Sequence, residues 1–136
     1  MKRFFYTIQF FWFCMWAFCA AAQTTTISIS GTGQSGAIDA AETVCPYSTY
    51  TLTFGGAAAP YYVISAGGGI EYKNATTSTW TPLTSPFVCD ITTTGADNTI
   101  EIRFTTVNSQ TIEAQGDDGF GRDPTTTSGV TTFTVL

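Results

Sequence analysis

The stretch Thr49-Tyr50-Thr51-Leu52-Thr53-Phe54 alternates a hydroxylated residue with a large apolar one at every step. Thr99-Ile100-Glu101-Ile102-Arg103-Phe104-Thr105 repeats the rhythm with charges in the polar positions. Successive side chains leave a strand on opposite sides, so a period of two places one set in a core and the other in water. Both stretches read as half-buried antiparallel strands. Weaker runs of the same kind cover 27–30, 60–65, 69–73, 78–81, 87–92 and 130–136, with Gly-, Asn- and Asp-rich breakers between them. No window sustains a helical period, although 37–43 has room for one helical turn. About seven to eight short strands with turn signals at this spacing predict an all-β, antiparallel sandwich or barrel.

At the N-terminus, Lys2 and Arg3 precede an apolar, aromatic run from Phe4 to Phe18, and Ala20-Ala21-Ala22 supplies small side chains before Gln23. This is the pattern of a secretory signal peptide over 1–22, cut between Ala22 and Gln23. The run falls short of the roughly 20 residues that cross a bilayer, and no basic stop-transfer cluster follows it. The expected product, residues 23–136, is a single secreted, extracellular or cell-surface domain, free of the membrane after cleavage.

Charge and composition then exclude several functions. The 136 residues include 5 basic and 10 acidic side chains and no histidine. Beyond residue 22 only Lys73, Arg103 and Arg122 remain to face ten acids, a net charge of −7, so nucleic acid is a poor partner. Lacking histidine, the chain has no serine-histidine-aspartate triad, no imidazole metal ligand and no ordinary base near neutral pH. Glu71, Glu101 and Glu113 are dispersed in strand-like alternation and do not suggest a glycosidase carboxylate pair. The expectation is a non-enzyme. About a fifth of residues 23–136 are threonine, which suits strand surfaces.

Cys45 and Cys89 are the only cysteines beyond residue 22. In an exported chain an even count predicts one disulfide between them, and a loop of this length would stabilise by roughly 4 kcal/mol in the chain-entropy model.

Gly69-Ile70-Glu71-Tyr72-Lys73, Thr79-Trp80-Thr81-Pro82-Leu83, Ser85-Pro86-Phe87 and Asn98-Thr99-Ile100-Glu101-Ile102-Arg103 follow one another in order. This layout resembles the immunoglobulin-like and fibronectin type III-like modules of secreted bacterial surface adhesins. Val44-Cys45-Pro46 followed by Thr49-Tyr50-Thr51-Leu52 is similar to the opening of PKD-like modules of the same proteins. The resemblance covers about half of residues 23–136 and implies an immunoglobulin-like β-sandwich. Adhesion, or a structural or assembly role, is the function it implies, with other proteins or surface glycans as partners. Unpaired edge strands add a route to homo-assembly. The segment 112–130 has no counterpart in that layout, and 115–128 reads as a long mobile loop.

Two stretches are candidate ligand sites. Asp117, Asp118 and Asp123, interleaved with Gly116, Gly119 and Gly121, resemble the Asp- and Gly-rich calcium repeats of secreted proteins, since calcium takes six to eight oxygens. The alternative is a solvated acidic loop. Tyr61, Tyr62 and Trp80 offer flat apolar faces that could stack on sugar rings, against the alternative that they fill the core. Asn74-Ala75-Thr76 also fits the N-glycosylation acceptor pattern. No cofactor is implied beyond that calcium.

Overall fold

A computed structural model describes residues 23–38 and 41–136. The expected signal peptide and its cut after Ala22 lie outside the described residues. Among these residues twelve strands run in the order β1 (Thr26–Gly31), β2 (Gln34–Ala37), β3 (Ala41–Val44), β4 (Tyr50–Gly55), β5 (Tyr62–Ala66), β6 (Ile70–Lys73), β7 (Trp80–Pro82), β8 (Phe87–Val88), β9 (Thr99–Phe104), β10 (Ser109–Asp117), β11 (Arg122–Asp123) and β12 (Thr131–Val135). No α-helix occurs among the described residues; one 3-10 turn spans Pro124–Thr126. The first sheet has the order β2-β1-β4-β9-β6-β7, and the second β3-β12-β10-β5-β8 with β11 paired on β10. Pairing is antiparallel except for β12 with β3.

The two alternating stretches form the centre of the first sheet. Tyr50 pairs with Ile102 and Leu52 with Ile100, so the apolar sets of β4 and β9 share one face. All four side chains are fully buried. Phe104 at the end of β9 packs at 6.1 Å from Tyr50 and at 5.0 Å from Phe133 of β12. Those contacts join the two sheets through one shared core, to which Val63 and Ile112 of the second sheet also belong. Each such side chain contributes about 1.5–3 kcal/mol by leaving water.

Several expectations are corrected. The strand count exceeds eight because short pairings extend both sheets: 34–37 folds back on β1 with Gly31 opposite Gln34, and 41–44 is a strand and not the helical turn suggested for 37–43. The expected loop 115–128 is instead largely built. Its first three residues complete β10, β11 returns beside them, and Asp123 caps the 3-10 turn by accepting from the Thr125 amide. Thr126 is buried; its hydroxyl accepts from the Gly116 amide at 2.8 Å, and its carbonyl accepts from the Thr25 amide at 2.7 Å.

The expected disulfide is absent, and both cysteines are free thiols. Cys45 follows β3 at one edge of the second sheet, and Cys89 follows β8 at the other edge. Four strand spacings of about 4.8 Å separate those edges by roughly 19 Å, whereas a disulfide tolerates no more than about 7 Å between Cα atoms.

Candidate functional site: the outer face of the first sheet

The polar positions of the four inner strands of the first sheet face outward, and register brings its charges together. Glu71 of β6 lies opposite Arg103 of β9, and Lys73 lies opposite Trp80 of β7. The Arg103 guanidinium holds one carboxylate oxygen of Glu71 twice, through Nη2 at 2.6 Å and Nε at 2.7 Å. Lys73 reaches Glu101 at 3.3 Å. Arg103 also lies 4.5 Å from the Trp80 ring centroid and 5.9 Å from that of Tyr47, within the range of cation–π attraction.

Tyr47 reaches this place by a turn. It takes a left-handed backbone conformation (φ 59°), and its amide donates to the Phe104 carbonyl at 2.8 Å. Tyr47 is 66% exposed. The result is a guanidinium flanked by two aromatic rings on an open sheet face, with two carboxylates and one further ammonium around it. Such a surface can stack on flat apolar faces and exchange hydrogen bonds with polar groups beside them. The remainder of the face, on β4 and β1, carries Thr51, Thr53, Ser28 and Ser30.

The aromatic trio expected as a platform is dispersed. Tyr61 is a core residue, 4% exposed, packed 5.6 Å from Phe54, with its hydroxyl donating to the Ala57 carbonyl. Burial and the nearby Asp97 raise its hydroxyl pKa. Tyr62 lies on the outer face of the second sheet and donates to Asp117 at 2.9 Å, a bond that raises its pKa. Trp80 alone of the three stands on the first sheet. The charges of Lys73 and Arg103 are visible in the sequence, but strand pairing is needed to place them beside Trp80 and Tyr47.

The carboxylates of the acidic stretch serve as hydrogen-bond acceptors. Among the described residues no group of three or more carboxylate or thiol side chains is placed to hold a metal ion. Asp117 accepts from Tyr62 and from the Gly119 amide at 2.6 Å; Asp118 accepts from the Phe120 amide at 2.8 Å; Asp123 accepts from Thr125. Each carboxylate is occupied in shaping its own turn.

Cys89 is fully buried, and desolvation, with smaller effects from Asp90 and Asp97, pushes its thiol up to about 12. A thiol so held is a core side chain and a poor nucleophile. Asn74 of the glycosylation pattern accepts from the Thr76 and Thr77 amides at 2.9 and 3.0 Å, closing the turn between β6 and β7.

No family model matches the chain, and searches of curated proteins and of solved structures give no match.

Proposed function

We propose that this protein is an exported, immunoglobulin-like β-sandwich module that acts by surface contact, in adhesion or as a structural and assembly element, without catalysing a reaction. The observation that carries this reading is the Tyr47–Arg103–Trp80 cluster. It is ordered by ion pairs and lies on an open sheet face, where a large partner can reach it and a small substrate would not be enclosed. The leader-like residues 1–22 and the strong negative charge of 23–136 support export and solubility outside the cell.

Other proteins and surface glycans are the partner classes that fit. Aromatic faces beside hydrogen-bonding charges suit the apolar faces of sugars as well as protein side chains. The test is adhesion of beads coated with the protein to arrays of glycans and of extracellular matrix proteins. Trp80→Ala and Tyr47→Ala, each checked for unchanged melting, are expected to abolish capture. Equal capture by both variants and the parent would refute the reading.

A further inference from the structure

We infer that the tip of the β10–β11 hairpin of one copy docks on the Tyr47–Arg103–Trp80 face of a second copy, joining molecules head to tail. The inference rests on the contact role proposed for that face and names its partner.

The hairpin presents a preformed anchor. Phe120 stands at its apex, 99% exposed, between Gly119 and Gly121 at φ 90° and 138°. Below the apex, Gly116 pairs with Asp123 and Asp117 with Arg122, and the Asp118 amide donates to the Gly121 carbonyl at 3.0 Å. The Gly119 and Phe120 amides donate to the carboxylates of Asp117 and Asp118. Asp117 is in turn pinned to the body of the domain by the Tyr62 hydroxyl and by its own amide on the Ala58 carbonyl at 3.0 Å. The backbone of the tip is thus ordered before any partner arrives, which lowers the loop-ordering entropy that binding would otherwise cost. An aromatic carried on an ordered, protruding apex is the geometry of an interface anchor.

The collar of that anchor is acidic, with three carboxylates to the single Arg122. An acceptor for it should combine an apolar surface with cations. Lys73 and Arg103 are the only cations of residues 23–136 outside the hairpin, and both lie, each beside one glutamate, in the face that also carries the Tyr47 and Trp80 rings. Elsewhere in residues 23–136 the tip would meet no side-chain cation.

Within one molecule the two cannot meet. The loop 56–61 holds Asp117 through Ala58 and also contacts Asp97 through Tyr61, so the hairpin leaves the second sheet at the end where β9 begins. Arg103 lies near the other end of β9, on the outward face of the other sheet. Unlike surfaces that join two copies leave a free donor at one end and a free acceptor at the other, so the contact propagates into chains unless the rotation closes a ring. One Phe and its collar make a small interface, so each contact is weak in solution and gains strength where many copies sit on one surface.

Sedimentation equilibrium of the purified protein up to about 1 mM, where even millimolar contacts are populated, tests this. The expected result is concentration-dependent association that Phe120→Ala and Trp80→Ala each weaken by about tenfold or more. Tyr47→Ala serves the same purpose should Trp80→Ala alter folding. A one-to-one mixture of Phe120→Ala with the acceptor variant should form dimers and nothing longer, since each then supplies the surface its partner lacks. A parent monomeric at 1 mM, association unchanged by these substitutions, or a mixture no more associated than its components would overturn the inference. So would Phe120-dependent binding to phosphatidylcholine vesicles without self-association. A monomer that still adheres to glycans or proteins through Trp80 would overturn the self-docking and leave the contact reading standing.

Discussion

Replacing Arg103 with methionine removes the group that links Glu71, Trp80 and Tyr47 on the outer face of the first sheet. The guanidinium shares a single carboxylate oxygen of Glu71 through two nitrogens, and the two side chains are 26% and 23% exposed. An exposed pair yields at most about 1 kcal/mol, and breaking a fully buried one costs about 3–5. A quarter-exposed pair belongs near the lower figure, so a coupling of about 1 kcal/mol is expected for Arg103 with Glu71. Stacking on Trp80 at 4.5 Å adds about 0.5–1 kcal/mol, and the more distant Tyr47 adds less. Arg103→Met should therefore destabilise by roughly 1.5–2 kcal/mol. A urea-denaturation cycle of Arg103→Met, Glu71→Gln and the double variant isolates the ion pair, and a second cycle with Trp80→Leu isolates the stack. Raising the salt concentration should shrink the first coupling and leave most of the second. Coupling below about 0.3 kcal/mol in both cycles would refute the view that Arg103 organises this face.

Gly68 and Gly69 form a matched pair. Both take left-handed backbone (φ 70° and 75°), but a Cβ on Gly69 would lie 2.1 Å from the Thr106 hydroxyl oxygen, whereas one on Gly68 meets nothing within 4 Å. Gly68→Ala should cost about 1–2 kcal/mol from backbone strain alone, and Gly69→Ala clearly more in the same denaturation assay. In protein beginning at Gln23, thiol titration should find Cys45 reactive in the native state and Cys89 only after unfolding; equal reactivity of both would contradict the burial of Cys89. Asp90 accepts from the Thr92 hydroxyl and from the Thr92 and Thr93 amides, which lowers its pKa. A carboxylate lowered on folding stabilises above its unfolded pKa and loses that contribution as pH falls through the folded value. The melting difference between the parent and Asp90→Asn should therefore shrink as pH drops below about 4, and a constant difference would count against that charge.

The first sheet was legible where large apolar residues mark one face. β4 and β9 fall within a residue of the alternating stretches that announce them. β10 was not legible, although it is the longest strand and central to the second sheet, because its inward positions are Gln110, Ile112, Ala114 and Gly116. Only one of these is a large apolar residue. Gly116 looks like a loop breaker in sequence but is required by packing, since a Cβ there would lie 2.5 Å from that of Ala57. Gln110 is wholly buried and its amide nitrogen donates to Thr106 and Asn108, so a polar residue stands where a hydrophobic pattern was sought. The cysteines misled for a different reason. Parity and export argue for a bridge, but they carry no information about which edge of a sheet each cysteine occupies. For the candidate site, outward charges signal only that a strand has a wet side, and pairing register decides which of them meet.

Segment 115–128 connects these points to function. A chain needed only to link β10 to β12 could be short, yet this one spends buried Thr126 on both sheets, through Gly116 of the second and Thr25 just before β1 of the first. Ser128 adds two more bonds to β10, donating its amide to the Ala114 carbonyl and accepting the Ala114 amide on its hydroxyl. These bonds close one side of the sandwich where no disulfide does. They also fix the base from which the hairpin projects, so its apex inherits the rigidity of the core strand β10. Three of the acids that suggested a metal site serve as acceptors within this strap, and the side chain left with nothing of its own molecule to pack against is Phe120. An acidic, ordered strap that ends in an exposed aromatic is held by its bonds and leaves a large apolar side chain bare at its tip, which is why the tip is where a second molecule should be sought.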